Sequence, residues 1–472
     1  MSIGNASGGG LAPRLSGYDG LYPLGAAKRP AAAANGFVAW MLLIGVVTPA
    51  AMTIFIGGAK FIPGRIVICL LLLPALFELF RRGRHLIASD LFACLASVWI
   101  VGATFDTDPD SWSSGFAVVV EFLGGYIVAR AFFFGRPALQ AFVGALKFVT
   151  VVVIALAALE HMTQHIVTYN VVASLWGLPS FTPEYRYGLL RAFSTFPHPI
   201  LYGTFCVVAG AIFLYSERRF LGRFLYTGGC FFGCLLAVSS APLISFMIVL
   251  AVYAYDRIMR RYPWRWYVLV IGLSTLLVAV FALANKPVSW IVSHLTLDPS
   301  TGYFRVATWD SAFYYIGLSP YVGFSFEAHG VIGDFFGNAS VDSVWLALAL
   351  RFGIPAIAFL FLANIATFYR PGSSASRRRS DPYTSRMRTA FTLVLVVFMF
   401  TGLTVHYWNN IWMFWGICVG IRGSLREEHL GTSKSVASEH RRQNWSTRAR
   451  HMAIGPTQVT GHRLLGPERS FP

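Results

Sequence analysis

Charge is what this chain has least of. Asp, Glu, Lys and Arg make up 12% of its 472 residues, where soluble domains carry about 25%. With 56% hydrophobic residues and a mean hydropathy of +0.58, that scarcity excludes a soluble globule and points to an integral membrane protein. Acidic residues are scarcer than basic ones, 21 against 38, leaving a formal charge of +17. In a membrane protein such a surplus marks arginine-rich cytoplasmic loops and tails, so nucleic acid is rejected as a partner. Cysteine is sparse too: Cys69, Cys94, Cys206, Cys230, Cys234 and Cys418 all fall inside apolar runs, and no disulfide is expected. Cys230 and Cys234 sit four apart on one presumed helix face, but without further ligands nearby they read as small packing residues rather than a metal pair. A Gly-rich phosphate loop before Lys-Ser/Thr is missing, which argues against ATP-driven transport by this chain alone. No cleavage pattern follows the first apolar run, which begins near Phe37 and reads as a retained span.

What the chain has in quantity is apolar stretches of membrane-crossing length, about 20 residues each. Twelve candidates appear: 37–56, 65–80, 87–105, 115–134, 138–159, 197–215, 223–239, 241–256, 266–284, 342–369, 389–405 and 407–421. With the N-terminus in the cytoplasm, the inside loops hold 18 Lys and Arg and the longer outside loops only 6. This is the bias the positive-inside rule requires, and it puts both termini in the cytoplasm. The leader 1–36 and the tail 422–472, with its nine Lys and Arg, read as disordered cytoplasmic segments, the tail grazing anionic lipid. The membrane domain is 37–421. Two exported segments exceed turn length, 160–196 and 285–341. In the second, Val306, Trp309, Phe313 and Ile316 recur at helical spacing. They predict an amphipathic helix in the outer interface, ended by Ser319-Pro320, with Arg305, Thr308 and Ser311 largely off the apolar face.

Ionisable residues near span ends stand out, because an unpaired cation in hydrocarbon costs from roughly 2.5 kcal/mol upward. Arg191 and His198 lie in Arg191-Ala-Phe-Ser-Thr-Phe-Pro-His-Pro-Ile-Leu-Tyr-Gly203, and Arg305 in Gly302-Tyr-Phe-Arg305. An anionic lipid headgroup is their natural partner. A sugar transfer outside the cytoplasm has no nucleotide sugars to draw on, so its donor arrives activated on a lipid pyrophosphate. Arginine stays protonated and can grip two phosphate oxygens at once, so Arg191 and Arg305 are the pyrophosphate candidates. Each is followed twelve positions later by glycine, Gly203 and Gly317. Arg186 and Lys286 read as plain interfacial charges. His198 has two readings, a base or headgroup donor and a cap on the following helix. His329, in Gly323-Phe-Ser-Phe-Glu-Ala-His-Gly330, is a second candidate base. Asp342 is either a helix cap or a functional carboxylate. Glu121 and Lys147, in neighbouring spans, predict a mutual ion pair. Trp112, Trp176, Tyr185, Trp290, Tyr303 and Trp309 are available to stack on sugars, although interfacial belts use the same residues.

Four motifs in order, Arg191…Phe196-Pro-His198-Pro-Ile…Gly203, Val238-Ser-Ser-Ala-Pro-Leu, Phe304-Arg305…Trp309…Pro320-Tyr-Val-Gly323 and Val341-Asp342-Ser-Val-Trp-Leu…Arg351-Phe-Gly-Ile-Pro355, resemble the O-antigen ligase and polymerase superfamily over 190–365. The resemblance implies an all-α, GT-C-like membrane fold of about twelve transmembrane helices in a bacterial inner membrane. It implies a metal-independent, inverting glycosyltransferase without cofactor, acting on an undecaprenyl-pyrophosphate-linked glycan at the periplasmic face. Partners would be membrane lipid and polysaccharide assembly proteins such as a flippase and a chain-length regulator. The family's exported arginines correspond to Arg191 and Arg305, with His198, His329 or Asp342 as the catalytic base. Two departures stand: eleven residues separate each Arg from its Gly where polymerases have ten, and Val341-Asp342-Ser343 replaces a common His-Asn. The modest length of 285–341 favours exopolysaccharide polymerase over ligation to lipid A-core, and a lipid-linked oligosaccharide flippase is the rival from another class.

Overall fold

The computed structural model describes residues 29–56, 59–81, 84–285, 287, 290, 299–327, 341–368, 381–428 and 430. It is built almost entirely of helices: α1 Arg29–Val47, α2 Pro63–Leu79, α3 Ala88–Thr107, α4 Trp112–Val119, α5 Gly125–Phe132, α6 Arg136–Thr163, α7 Val167–Trp176, α8 Pro199–Ser216, α9 Phe220–Leu236, α10 Ser240–Ile258, α11 Arg265–Leu283, α12 Pro299–Leu318, α13 Val344–Ala366, α14 Pro382–Thr401 and α15, 410–428. Among the described residues eight helical stretches are long and apolar enough to cross a membrane. The chain is a multi-pass membrane protein. Two short hairpins, Ile54–Ile56 with Ala59–Phe61 and Tyr185–Arg186 with Leu189–Leu190, are the strands of the described residues.

Apolar length makes the helices, but contact decides which are central. All but one residue of the α8 window is buried, 94% of it, so a helix apolar on every side becomes the axis of the bundle. In α11 no residue is buried, and the same composition places it at the rim. The stretch from Trp112 to Phe132 is one continuous helix with a π-helical turn, Val120–Gly124, in its middle. That turn carries Glu121, which receives Arg65 Nε at 2.9 Å. Lys147 pairs instead with Glu217. The predicted Glu121–Lys147 pair is therefore replaced by two others, because the register of packing brings α2 to the π turn.

One end of the bundle is tied by a buried ion network. Arg130, fully buried, donates from Nε to Asp90 Oδ1 at 3.2 Å, from Nη2 to the His85 carbonyl at 3.0 Å, and from Nη1 to Glu427. Glu427 also accepts Arg84 Nε at 3.0 Å and the His85 backbone N–H at 2.7 Å. Glu427 lies six residues past the expected end of the membrane domain at 421; α15 runs on, with Arg422, Ser424, Leu425 and Glu427 all buried. The first part of the predicted disordered tail is thus a helix locked into the bundle by charge. Removing one partner of a buried pair leaves a stranded charge and costs about 3–5 kcal/mol. Glu427→Ala should therefore lower the melting midpoint of the detergent-solubilised protein and its monodisperse yield. Arg81→Ala, which breaks a mostly exposed pair with Glu78, should leave both nearly unchanged, since such pairs contribute about 0–1 kcal/mol.

Candidate functional site

The segment 191–196 is buried throughout, and its backbone is pinned from several sides. A tight hairpin with Tyr187 and Gly188 at positive φ returns the chain so that the Arg191 N–H donates to the Glu184 carbonyl at 2.9 Å. Glu160, at the end of α6 and fully buried, accepts the N–H groups of Phe193 at 2.9 Å and Ser194 at 2.7 Å. The Ser194 hydroxyl donates to the Val153 carbonyl at 2.7 Å, and the Ala192 N–H to Leu236 at 2.9 Å. This clamp presents Arg191 at the N-terminal end of α8. Gly203 follows because a Cβ there would come within 2.7 Å of Pro242; Gly317 faces open space, so the Arg-to-Gly spacing has no common structural cause in the two segments.

Arg305 reaches the same place from α12. That helix buries Arg305, Thr308, Trp309, Ala312 and Ile316, with the last three packed on α13 residues Leu346, Ala347 and Leu350. Phe313, expected on the same apolar face, is 51% exposed. The buried face is thus turned toward the arginine, because an apolar side chain facing lipid gains as much as one facing protein. Two quoted motifs meet across α13. Gly353 sits at φ +78°, within the left-handed region that glycine tolerates, and breaks the helix. The Ile354 N–H donates to the Pro320 carbonyl at 2.8 Å, and the orphaned Leu350 carbonyl accepts the Phe324 N–H at 2.7 Å. Pro320-Tyr-Val-Gly323 thereby completes the hydrogen bonding of the broken helix, as backbone at membrane depth requires.

A cavity of about 380 Å³ gathers Arg186, Arg191, His198, Arg305, Asp342, Arg351, His406 and Trp408. Four guanidinium groups face one carboxylate among its described lining residues. Arg191 is 8% exposed and Arg305 5%. Arg191 Nη1 pairs with Glu184 Oε2 at 2.5 Å, but Nη2 has no hydrogen-bond partner among the described residues, nor do Nε and Nη1 of Arg305. Asp342 is not the cap of α13: Ser343 Oγ accepts the Leu346 N–H at 3.4 Å and donates to the Gly402 carbonyl at 3.0 Å. The neighbouring serine takes the cap, and Asp342 lines the cavity. Arg186, expected as a plain interfacial charge, lines the wall. Arg351, His406 and Trp408 were not singled out from sequence as site residues; helical spacing carries no signal that α13 and the 404–408 turn converge here. Trp408 lies between two imidazoles, with ring centroids 6.1 Å from His198 and 5.4 Å from His406. Trp309 is buried against α13. His329 and Lys286 lie outside the described residues.

His198 caps α8: its Nδ1 accepts the Ile200 N–H at 3.2 Å. A neutral imidazole accepting at Nδ1 carries its hydrogen on Nε2, which lies 3.9 Å from Glu184 Oε1. This leaves the Nε2 hydrogen available as a donor. Burial, and then the Arg191 charge, push the imidazole down to about 4, with Asp342 opposing and Arg186 adding to the shift. The ordinary value is about 6.5. A depressed folded-state value means the unfolded chain takes up the proton first. The stabilisation is complete above about pH 6.5 and is lost as pH falls toward 4. His198→Asn keeps a good cap without a titrating ring. Its melting midpoint should fall less steeply than wild type's over that window, and parallel curves would remove His198 from the effect.

No family model matches this sequence, and no curated protein matches it.

Proposed function

We propose that the protein is an inverting glycosyltransferase that polymerises glycan repeat units carried on a polyprenyl pyrophosphate, working at the outer face of the bacterial inner membrane. One observation supports this reading above the others: Arg191 and Arg305, 114 residues apart in the sequence, share one cavity with incompletely satisfied guanidinium forks. A diphosphate carries the oxygens that such forks fit, two parallel hydrogen bonds at a time. In the reaction an acceptor hydroxyl forms a bond to the anomeric carbon of the donor. The bond from that carbon to the pyrophosphate oxygen breaks, and the leaving diphosphate keeps the electron pair. Arg191 and Arg305 stabilise the charge that grows there, and the Nε2–H of His198 adds a neutral donor. Asp342 takes the proton of the acceptor hydroxyl, and Trp408 offers a flat face on which a sugar ring can lie.

Ligation to a separate core lipid would use the same chemistry with another acceptor. The short exported segments favour polymerisation, in which the acceptor is a second copy of the donor. A transporter would hold its charges near the bilayer midplane; Arg191 and His198 instead stand at the end of α8.

Arg305→Ala should abolish long polymer while the protein still inserts, with a rate loss of about a hundredfold or more; wild-type chain lengths would remove Arg305 from the mechanism. Arg191→Lys should restore only part of the activity of wild type, because a point charge cannot bridge two oxygens. Asp342→Asn should slow transfer by about a hundred to ten thousandfold with little change in donor binding. Polymer gels and single-turnover transfer assays measure all three.

A further inference from the structure

At the opposite end of α8, about 25 Å along the helix axis, a second group of cations converges. Arg223, Arg257, Arg260, Arg265 and Arg386 line a cavity of about 260 Å³ whose one described carboxylate is Asp256. Asp256 is already engaged, accepting from Arg265 Nε at 2.7 Å. Arg223 donates to the carbonyls of Leu214 at 3.2 Å and Glu217 at 2.6 Å, and Arg386 to that of Tyr215 at 3.2 Å. Carbonyls orient these forks without neutralising them. Nη2 of Arg386 is buried and has no hydrogen-bond partner among the described residues. Ser385 and Thr389 add hydroxyl groups to the wall.

Thr389 is also part of a larger cleft, about 640 Å³, lined by Val252, Tyr267, Val270, Leu273, Phe368 and Leu393 among others. The cleft exists because α11 stands away from the bundle, with none of its residues buried. A gap between mostly apolar walls cannot stay empty, since those walls would forfeit their dispersion contacts, and its few polar groups, Thr389 and Thr392 among them, are too few to hold it full of water. A basic chamber opening onto an apolar slot has the shape of a head and a tail.

We propose that the two cavities together bind one anionic glycerophospholipid, its phosphate among Arg257, Arg260 and Arg386 and an acyl chain between α11 and α14. The adjacency selects this occupant. A free phosphate has no use for the cleft, and a zwitterionic lipid does not call for five guanidinium groups. The loops 216–223 and 257–265, on this side by the distribution of Lys and Arg, belong to the cytoplasmic leaflet, whose anionic lipids attract basic pockets between helices. The lipid would join α11 to the bundle where protein contacts do not. The inference is independent of the transferase reading.

The test is the melting midpoint of purified, delipidated full-length protein in detergent. Phosphatidylglycerol should raise it by about 4 °C or more, while phosphatidylcholine and inorganic phosphate should not. Two variants should lose most of that rise. Arg257→Gln with Arg260→Gln removes cations from the chamber without touching the backbone-bonded arginines, and Val270→Trp fills the cleft from an exposed position on α11. An equal rise with inorganic phosphate would assign a soluble anion site, and an equal rise with phosphatidylcholine would assign apolar filling alone. A larger rise with farnesyl diphosphate would assign a polyprenyl diphosphate, and a wild-type response in both variants would dismiss the site. Each of these four results overturns the proposal.

Discussion

Two guanidinium groups held almost out of water, lining one cavity and short of hydrogen-bond partners among the described residues, set the terms for the rest of the molecule. Such an arrangement is costly, since taking each ion out of water carries an effective penalty of several kcal/mol. It persists because rigid parts hold it. Glu160 fixes the backbone beside Arg191, and the packing of Trp309, Ala312 and Ile316 on α13 fixes Arg305. Glu184 and Asp342 offset part of the charge without completing the hydrogen bonding. What remains is a standing demand for an anion with several oxygens, which is how preorganised sites stabilise developing charge.

Much of the frame was legible in the residues. Apolar length located helices at all twelve predicted spans, although among the described residues eight helical stretches meet the length and hydropathy of a span. The odd placement of Arg191, Arg305 and Asp342 picked out three groups that one cavity brings together. The misses share physical causes. Apolarity does not report burial in a membrane, so the apolar face predicted for α12 joins Phe313, which is exposed, to Trp309 and Ile316, which are buried. Asp342 and Ser343 are both good caps, and only the fold decides which is used. Glu121 found Arg65 and Lys147 found Glu217 through contacts between distant segments. Arg351, His406 and Trp408 entered the site the same way, by tertiary convergence that periodicity cannot encode.

The two ends of the bundle solve different electrostatic problems. Near α15, Arg84 and Arg130 are matched by Asp90 and Glu427, and every bond serves to close the structure. Around Arg191 and Arg305 the cations outnumber the carboxylates. A helix break at Gly353 and a π turn at Glu121 lie in the same half of the molecule, where irregular backbone lines cavities and not lipid. Stability is concentrated where charges balance, and binding capacity where they do not.

The most direct measurement is reconstitution of the purified protein in vesicles with a synthetic polyprenyl-pyrophosphate oligosaccharide and no other protein. The account predicts glycans longer by whole repeat units, with one free polyprenyl pyrophosphate released for each new linkage. Movement of the substrate across the bilayer without any new glycosidic bond would contradict it.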